Sequence, residues 1–328
     1  MNRIINLTPK DFETDQEVRW CPGCGDYAIL KSMRKVLAEV GRDPDEVVVV
    51  SGIGCAARLP YYLETYGFHS IHGRAPSLAT GIKLANPELD VWVVGGDGDF
   101  LAIGANHLMH ILRRNVDVNL VLFNNAVYGL TKGQSSPTSV PGTRSPSTPD
   151  GSVDPAVNPA MLALGGNGGF VARTADTLQD HLPEVLLRAH GFNGAAFVEV
   201  LQNCIVYNDN AFGDLTSKKN RAENTVIVRH GEPMLFGADN DRGLVYEPVR
   251  GEFRVTENAA EASAHDETNW ALAAALARLD DPAAPTPLGV FYCAPREDYL
   301  SAREARIPYA PLSLGDLNDL LYADSWRA

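Results

Sequence analysis

Hydrophobic positions in the first two thirds of the chain alternate between a helical period and continuous strand-like runs. Ile29, Met33, Val36, Leu37 and Val40 lie on one face of a helix over 26–40, and Gly41 marks its end. Residues 47–50 are four valines in a row, the pattern of a strand covered on both faces in a parallel sheet. A short strand at 70–72, a helix at 76–85 and a second apolar strand at 91–95 follow. Next come a helix over about 101–114 and a strand at 118–123. A strand at 169–173, a helix at 177–190 and a last strand at 196–201 (AFVEVL) complete the series. This alternation predicts an α/β fold, a doubly wound parallel sheet with helices on both faces. Residues 126–155 form a long connection rich in Ser, Thr, Pro and Gly; its first third reads as a clamp over a ligand.

Outside that series the pattern weakens. Residues 1–25 read as an arm, extended over 1–19, and 26–216 as the main domain. Residues 217–328 read as a C-terminal extension packing on the core or on a partner. It has short strand-like fragments, one helix within 260–279, and prolines at 282, 285, 287, 308 and 311.

Composition narrows the class. Of 328 residues, 45% are hydrophobic, enough for a packed core and too many for general disorder. A formal charge of −13 argues against a nucleic-acid binder, which needs clustered Lys and Arg. No signal peptide and no bilayer-length apolar run are visible, so a cytoplasmic protein is expected. Five cysteines in such a chain point to metal binding or catalysis rather than to disulfides.

Two sets of residues carry candidate chemistry. Gly96-Asp97-Gly98 ends one predicted strand and Asn124-Asn125 ends the next. In a parallel strand–helix–strand unit both turns open at the carboxyl edge of the sheet, where such folds bind ligands. One Asp and one Asn there suit a hard cation such as Mg²⁺ holding phosphate oxygens, and flanking glycines admit a diphosphate. The spacing resembles the thiamine-diphosphate motif; that resemblance assigns Mg²⁺ to Asp97, Asn125 and the carbonyl of Val127. The second set is Cys21-Pro22-Gly23-Cys24, just before a helix whose positive end favours anionic sulfur. Alone it is half a zinc site, a redox dithiol or part of an iron–sulfur cluster. No strand precedes it, which weakens the dithiol reading, and no second close pair completes a zinc knuckle. Cys55, in a Gly-rich turn, and Cys204, past the last strand, bring the thiolates to four, the number a [4Fe–4S] cluster needs. Cys293, in a strand-like run, reads as a small buried hydrophobe.

Taken in order, Trp20-Cys21-Pro22-Gly23-Cys24-Gly25-Asp26, Gly52-Ile53-Gly54-Cys55, His72-Gly73-Arg74, Gly96-Asp97-Gly98 and Asn124-Asn125-Ala126-Val127-Tyr128-Gly129 resemble the β subunit of 2-oxoacid:ferredoxin oxidoreductases over about residues 15–220. The nearest resemblance is to the 2-oxoglutarate branch. It implies thiamine diphosphate, Mg²⁺ and one [4Fe–4S] cluster on Cys21, Cys24, Cys55 and Cys204, with coenzyme A as co-substrate. The expected cofactor contacts are Gly52, Ile53, Gly54, Cys55, His72, Gly73, Gly96, Asp97, Gly98, Asp99, Asn125, Val127, Tyr128, Gly129, Leu130 and Thr131. An α subunit would supply the glutamate that activates the pyrimidine ring and most coenzyme A contacts, in an (αβ)₂ assembly with ferredoxin as electron acceptor. Arg58 is placed to meet a distal carboxylate. Leu130 departs from the Asn of pyruvate-specific members, and together they favour a dicarboxylate 2-oxoacid. Lys132 stands in the same loop and contacts cofactor, partner or solvent. Three other readings stay open: broad or pyruvate specificity, a non-redox thiamine-dependent decarboxylase or synthase half, and a non-catalytic iron–sulfur scaffold.

Overall fold

The structure, a computed structural model, describes residues 6–279, 281, 283–307 and 313–323. Pro282, Pro308 and Pro311 lie outside these residues. Helix α1 (Asp26–Val40) ends at Gly41, whose φ of +70° is a left-handed cap that glycine adopts without strain. Strand β1 (Val47–Ser51) is buried along its whole length. Its side chains alternate between two cores: Val48 and Val50 join one, Val47 and Val49 the other. Strand β2 (Tyr66–His69) is an exposed edge strand paired with β1. It replaces the strand expected at 70–72, which is a turn instead. An edge strand exposed throughout has no buried face to impose a hydrophobic pattern, so its place is not legible from apolar runs.

Helix α2 (Ala75–Ala85), β3 (Asp90–Gly96), α3 (Asp97–Leu101), α4 (Ala105–Arg114) and β4 (Val118–Asn124) follow. The expected single helix over 101–114 is thus two, broken at 102–104. The break seats Gly104 against Gly73, where an added Cβ would come within 2.3 Å of the Asp99 carbonyl oxygen. Helix α5 (Pro159–Gly165), β5 (Phe170–Ala175), α6 (His181–His190) and β6 (Ala195–Leu201) complete the predicted series. The sixth helix begins four residues later than the pattern suggests. Pro183 falls in its first turn, where a missing N–H costs nothing.

After β6 come the short helices α7 (Gly213–Thr216) and α8 (Arg221–Asn224), then β7 (Thr225–Val228). A three-stranded antiparallel sheet is formed by β8 (Leu235–Phe236), β9 (Arg242–Glu247) and β10 (Glu252–Thr256). Helix α9 (Trp270–Ala277), β11 (Thr286–Cys293), α10 (Tyr299–Glu304) and α11 (Leu314–Tyr322) follow. Two of these strands enter the main sheet, whose order is β2-β1-β3-β4-β6-β5-β11-β7. The first six run parallel; β11 runs antiparallel to β5 and parallel to β7. The sheet is therefore mixed at one end rather than wholly parallel.

One core lies between the sheet and α2, α4, α5 and α9, the other between the sheet and α1 and α6. Phe12 and Trp20 of the N-terminal segment belong to the second core, so this segment is anchored by apolar burial. Cys293 is half-buried against the same core. Among the described residues no helix is long and apolar enough to cross a membrane.

Candidate cofactor site and cysteine cluster

Because β1, β3, β4 and β6 run parallel, the turns after all four open at one edge of the sheet. A cavity of about 550 Å³ lies there. Its wall contains Ile53, Gly54, Cys55, His72, Gly96, Asp97, Gly98, Asp99, Asn125, Val127, Tyr128, Gly129, Leu130 and Thr131, together with Ala56 and Gln134, which the sequence reading did not include. Gly52 and Gly73, expected as contacts, stand behind the wall. Both belong to a lock around Asp99, whose Oδ1 accepts from Ile53 N (3.1 Å), Gly73 N (2.7 Å) and His72 Nδ1 (2.7 Å). A Cβ at Gly52 would lie 2.0 Å from Asp99 Oδ2, so glycine is needed for this close approach. Burial raises the Asp99 pKa, against the lowering effect of its three donors. With Nδ1 engaged, neutral His72 presents Nε2 as an acceptor.

Asp97 is 2% exposed and begins α3. Its Oδ2 accepts from the hydroxyls of Ser136 and Thr138, the latter at 2.6 Å. Burial pushes its pKa up to about 6, even though these donors favour the charged form. Asn125 is buried across the cavity, and its Oδ1 accepts from Val127 N at 3.2 Å. Between them Ala126 has φ +54°, an uncommon conformation for a residue with a Cβ. An aspartate, an amide and a nearby carbonyl are hard oxygen donors of the kind Mg²⁺ takes. Gly54 lines the same cavity, and a Cβ there would meet no atom within 4 Å; its side-chain space is open to a ligand.

The cysteines come together beside this wall. The Cys21–Cys24 turn is closed by Cys24 N donating to Cys21 O at 3.0 Å. Trp20 Nε1 donates to Cys55 O at 2.8 Å, and Gly25 N donates to Asn203 O at 3.2 Å. The turn is thereby tied to both other cysteine segments. A Cβ on Gly129 would lie 3.4 Å from Cys204 Sγ and 3.6 Å from Cys55 Sγ. Burial pushes the Cys55 thiol up to about 12, with Asp26, Cys204 and Cys21 adding to the rise and Arg58 opposing it. Cys24 is raised further, by burial and then by Asp26. In the cluster-free protein burial and the Asp26 carboxylate thus work against the anionic sulfur that the helix end favours. Asp26 itself is fully buried, and burial lifts it to about 7 against the lowering effect of the Cys24 thiol beside it. Among the described residues no three His, Cys, Asp or Glu side chains converge on one point to hold a single ion. Cys293, at the end of β11, packs against the core on the α1 side of the sheet.

Arg58 does not reach the first cavity. It lines an adjoining one with Gln16, Glu17, Arg19, Tyr61, Tyr62 and His69, sharing Ile53, Gly54 and Leu130 with the first. Its Nη1 donates to Arg19 O at 3.0 Å. Lys132 is exposed at φ +76° in the loop beyond. Residues that sequence reasoning missed are the buried Ser136, Thr138 and Ser139, and Glu199, which lies within β6 and is paired with Arg173 at 2.7 Å. A glutamate inside the apolar run AFVEVL was a readable signal. The buried hydroxyls sit in a loop whose composition resembles a linker, so nothing distinguished them.

The fold and its ligand edge define a thiamine-dependent class. Residues 43–200 match the family model described as thiamine pyrophosphate enzyme, C-terminal TPP binding domain. The chain is 49% identical over 327 residues to the 2-oxoglutarate oxidoreductase subunit KorB of Mycobacterium tuberculosis, covering 97% of this chain and 87% of that protein. It is 39% identical over 248 residues to the 2-oxoglutarate synthase subunit KorB of Methanothermobacter thermautotrophicus, covering 73% and 82%. A solved structure, 2-oxoglutarate:ferredoxin oxidoreductase from Magnetococcus marinus with 2-oxoglutarate, coenzyme A and succinyl-CoA bound, superposes with a TM-score of 0.78 at 29% identity over 98% of both chains. The chain belongs to the β subunits of the 2-oxoacid:ferredoxin oxidoreductases, thiamine-dependent oxidoreductases.

Proposed function

We propose that this chain is the β half of an enzyme converting 2-oxoglutarate and coenzyme A to succinyl-CoA and CO₂, reversibly, with electrons leaving through one [4Fe–4S] cluster to ferredoxin. One observation carries the reading. Gly129 lines the cavity that holds Asp97 and Asn125, and its missing Cβ leaves Cys55 and Cys204 within van der Waals reach. Cys55 itself lines that cavity and Cys204 stands just behind Gly129, so the thiols adjoin the coenzyme cavity, as stepwise electron removal from a bound substrate requires.

Thiamine diphosphate, when bound, supplies the carbanion that attacks the keto carbon and the electron sink for decarboxylation. Asp97, Asn125 and the Val127 carbonyl are the protein donors for Mg²⁺, and Gly96 and Gly98 let backbone approach the diphosphate. The four thiolates of Cys21, Cys24, Cys55 and Cys204 hold the cluster. Arg58, with Arg19 beside it, offers guanidinium charge in the adjoining cavity to a distal carboxylate, and Leu130 lies between the two cavities. No Glu lines the first cavity among the described residues; the pyrimidine-activating glutamate and most coenzyme A contacts belong to an α partner, in an (αβ)₂ assembly. The relatives named for 2-oxoglutarate support the substrate.

The test is anaerobic co-purification with the α partner, followed by viologen-dye reduction with coenzyme A and a panel of 2-oxoacids. A brown complex that reduces the dye fastest with 2-oxoglutarate is expected, and the chain alone should be inactive. A colourless complex that decarboxylates 2-oxoacids without reducing the dye would remove the redox reading, and a preference for pyruvate would remove the dicarboxylate.

A further inference from the structure

The loop after Asn125 has the composition of a flexible linker, yet Ser136, Thr138 and Ser139 are all at least nine-tenths buried within it. Each hydroxyl is directed at one of the two turns that supply the cation's ligands. Ser136 Oγ and Thr138 Oγ1 both donate to the same oxygen of Asp97, Oδ2. The strap therefore leaves Oδ1 untouched. Ser139 Oγ accepts from Ser136 N at 2.8 Å and donates to Ala126 O at 2.7 Å, gripping the left-handed residue between Asn125 and Val127. The same turn is held from the other side: Asn208 Nδ2 donates to Asn125 O at 2.8 Å, and Asn124 Oδ1 accepts from Ala126 N at 3.2 Å.

Thr138 has a single proton and stands 2.6 Å from Asp97 Oδ2 and 2.8 Å from Asn124 Oδ1. The ionised carboxylate is the stronger acceptor and takes it, while Asn124 keeps the Ala126 N–H. Asn124 cannot rotate to donate instead, because its Nδ2 is fixed on Glu199 Oε1 at 2.7 Å. Glu199 is fixed in turn by Arg173 Nε at 2.7 Å, directly opposite on β5, and the guanidinium lies 5.3 Å from the Phe291 ring of β11. A buried ion pair is poor evidence for stability by itself; this one orients an amide.

We propose that Ser136, Thr138 and Ser139 form a hydroxyl strap that holds the Asp97 carboxylate and the Ala126 turn in place for the cation, so that they are positioning residues for the metal ligands. The inference rests on the reading of Asp97 and Asn125 as Mg²⁺ ligands. Without the strap, the Asp97 carboxylate is free to rotate and the left-handed turn relaxes. Either change disperses the oxygen set before a cation arrives.

The experiment uses the assembled α–β complex and follows thiamine diphosphate retention by equilibrium dialysis as Mg²⁺ is titrated. Thr138→Val should raise the Mg²⁺ concentration for half-retention about tenfold to a hundredfold, the worth of one hydrogen bond to a charged group. Thr138→Ser should restore it. Cluster absorbance and melting temperature should stay near native in both, which a merely structural role would not allow. Should Thr138→Val fail to assemble, Ser136→Ala, which adds no methyl group, carries the same expectation. Asp97→Asn is the control. If it loses Mg²⁺ dependence while the strap variants keep the native titration, the strap is overturned and the ligand reading stands. If Asp97→Asn also keeps the native titration, the ligand reading falls and the strap falls with it.

Discussion

Asp97 and Cys55 follow neighbouring strands, and burial raises the pKa of both, but the chain surrounds them differently. Around Asp97 there are two hydroxyl donors, a locked amide and a braced backbone turn. Around the thiols the polar support is sparser: Gln202 Nε2 lies 3.3 Å from Cys24 Sγ, and the Asp26 carboxyl stands beside the same thiol. Anionic sulfur is disfavoured there until iron supplies positive charge. The proposed oxygen ligands are held by the protein's own hydrogen bonds, whereas the thiols have few such supports. The two should therefore fail independently and in different ways.

The largest expected effect is at the sulfur site. Replacing Cys21, Cys24, Cys55 or Cys204 by Ala should each abolish the brown chromophore and its iron, and Cys293→Ala should not. Hydrogen exchange should then rise across 20–25, while Phe12, buried in the core, keeps its segment protected. Loss of protection throughout 6–25 would show that the cluster, not Phe12, anchors the arm. Asp97→Ala comes next, removing Mg²⁺-dependent coenzyme while the cluster absorbance persists. Concerted loss of both would break the contrast and make the shared wall a single cooperative unit.

Arg58 lines the adjoining cavity three residues after Cys55, so its loss can be read at either site. If it meets a distal carboxylate, Arg58→Ala should lower kcat/KM for 2-oxoglutarate about thirtyfold or more and leave pyruvate little changed. A uniform loss across 2-oxoacids, with bleaching, would assign the guanidinium to the thiols, whose charge it already compensates at Cys55. The smallest effect concerns pH. In the cation-free protein the Asp97 carboxyl titrates at about 6, above its ordinary 3.8. The native state then holds this proton more tightly than the unfolded chain. Stability from this group is present below about pH 4 and is lost as pH rises to about 6. Mg²⁺ with thiamine diphosphate favours the ionised form and should reverse that loss. Melting temperatures with and without both, from pH 4 to 8, measure it, and parallel curves would mean that the cation does not engage Asp97.

Much of this contrast was legible in the residues. The Gly96-Asp97-Gly98 and Asn124-Asn125 turns were placed at the carboxyl edge by the strand pattern, and the structure brings them to one cavity with Cys55 in its wall. The supports were less visible. Gly52 and Gly73 read as ligand contacts and proved to serve the Asp99 lock, since a glycine's role depends on what approaches it from elsewhere in the chain. Arg58 sits one cavity away from where its spacing after Cys55 suggested, because the 3-10 turn Ala56–Tyr62 carries it past the Leu130 wall.

By itself the sequence determined the local periods, hence the strands of the parallel half of the sheet other than the exposed edge strand β2, and the reactive atoms at their carboxyl ends. Those follow from short-range burial patterns and from side-chain chemistry, which need only neighbours in the chain. Tertiary structure alone decided that β7 and β11 extend the sheet, with β11 reversed against β5. Their pairing partners lie far away in sequence, and a strand of four residues has no period strong enough to declare itself. It also decided that Ser136, Thr138 and Ser139 are buried. A hydroxyl is neutral in any local pattern, and only the arrival of Asp97 and the Ala126 carbonyl beside it gives it something to hold.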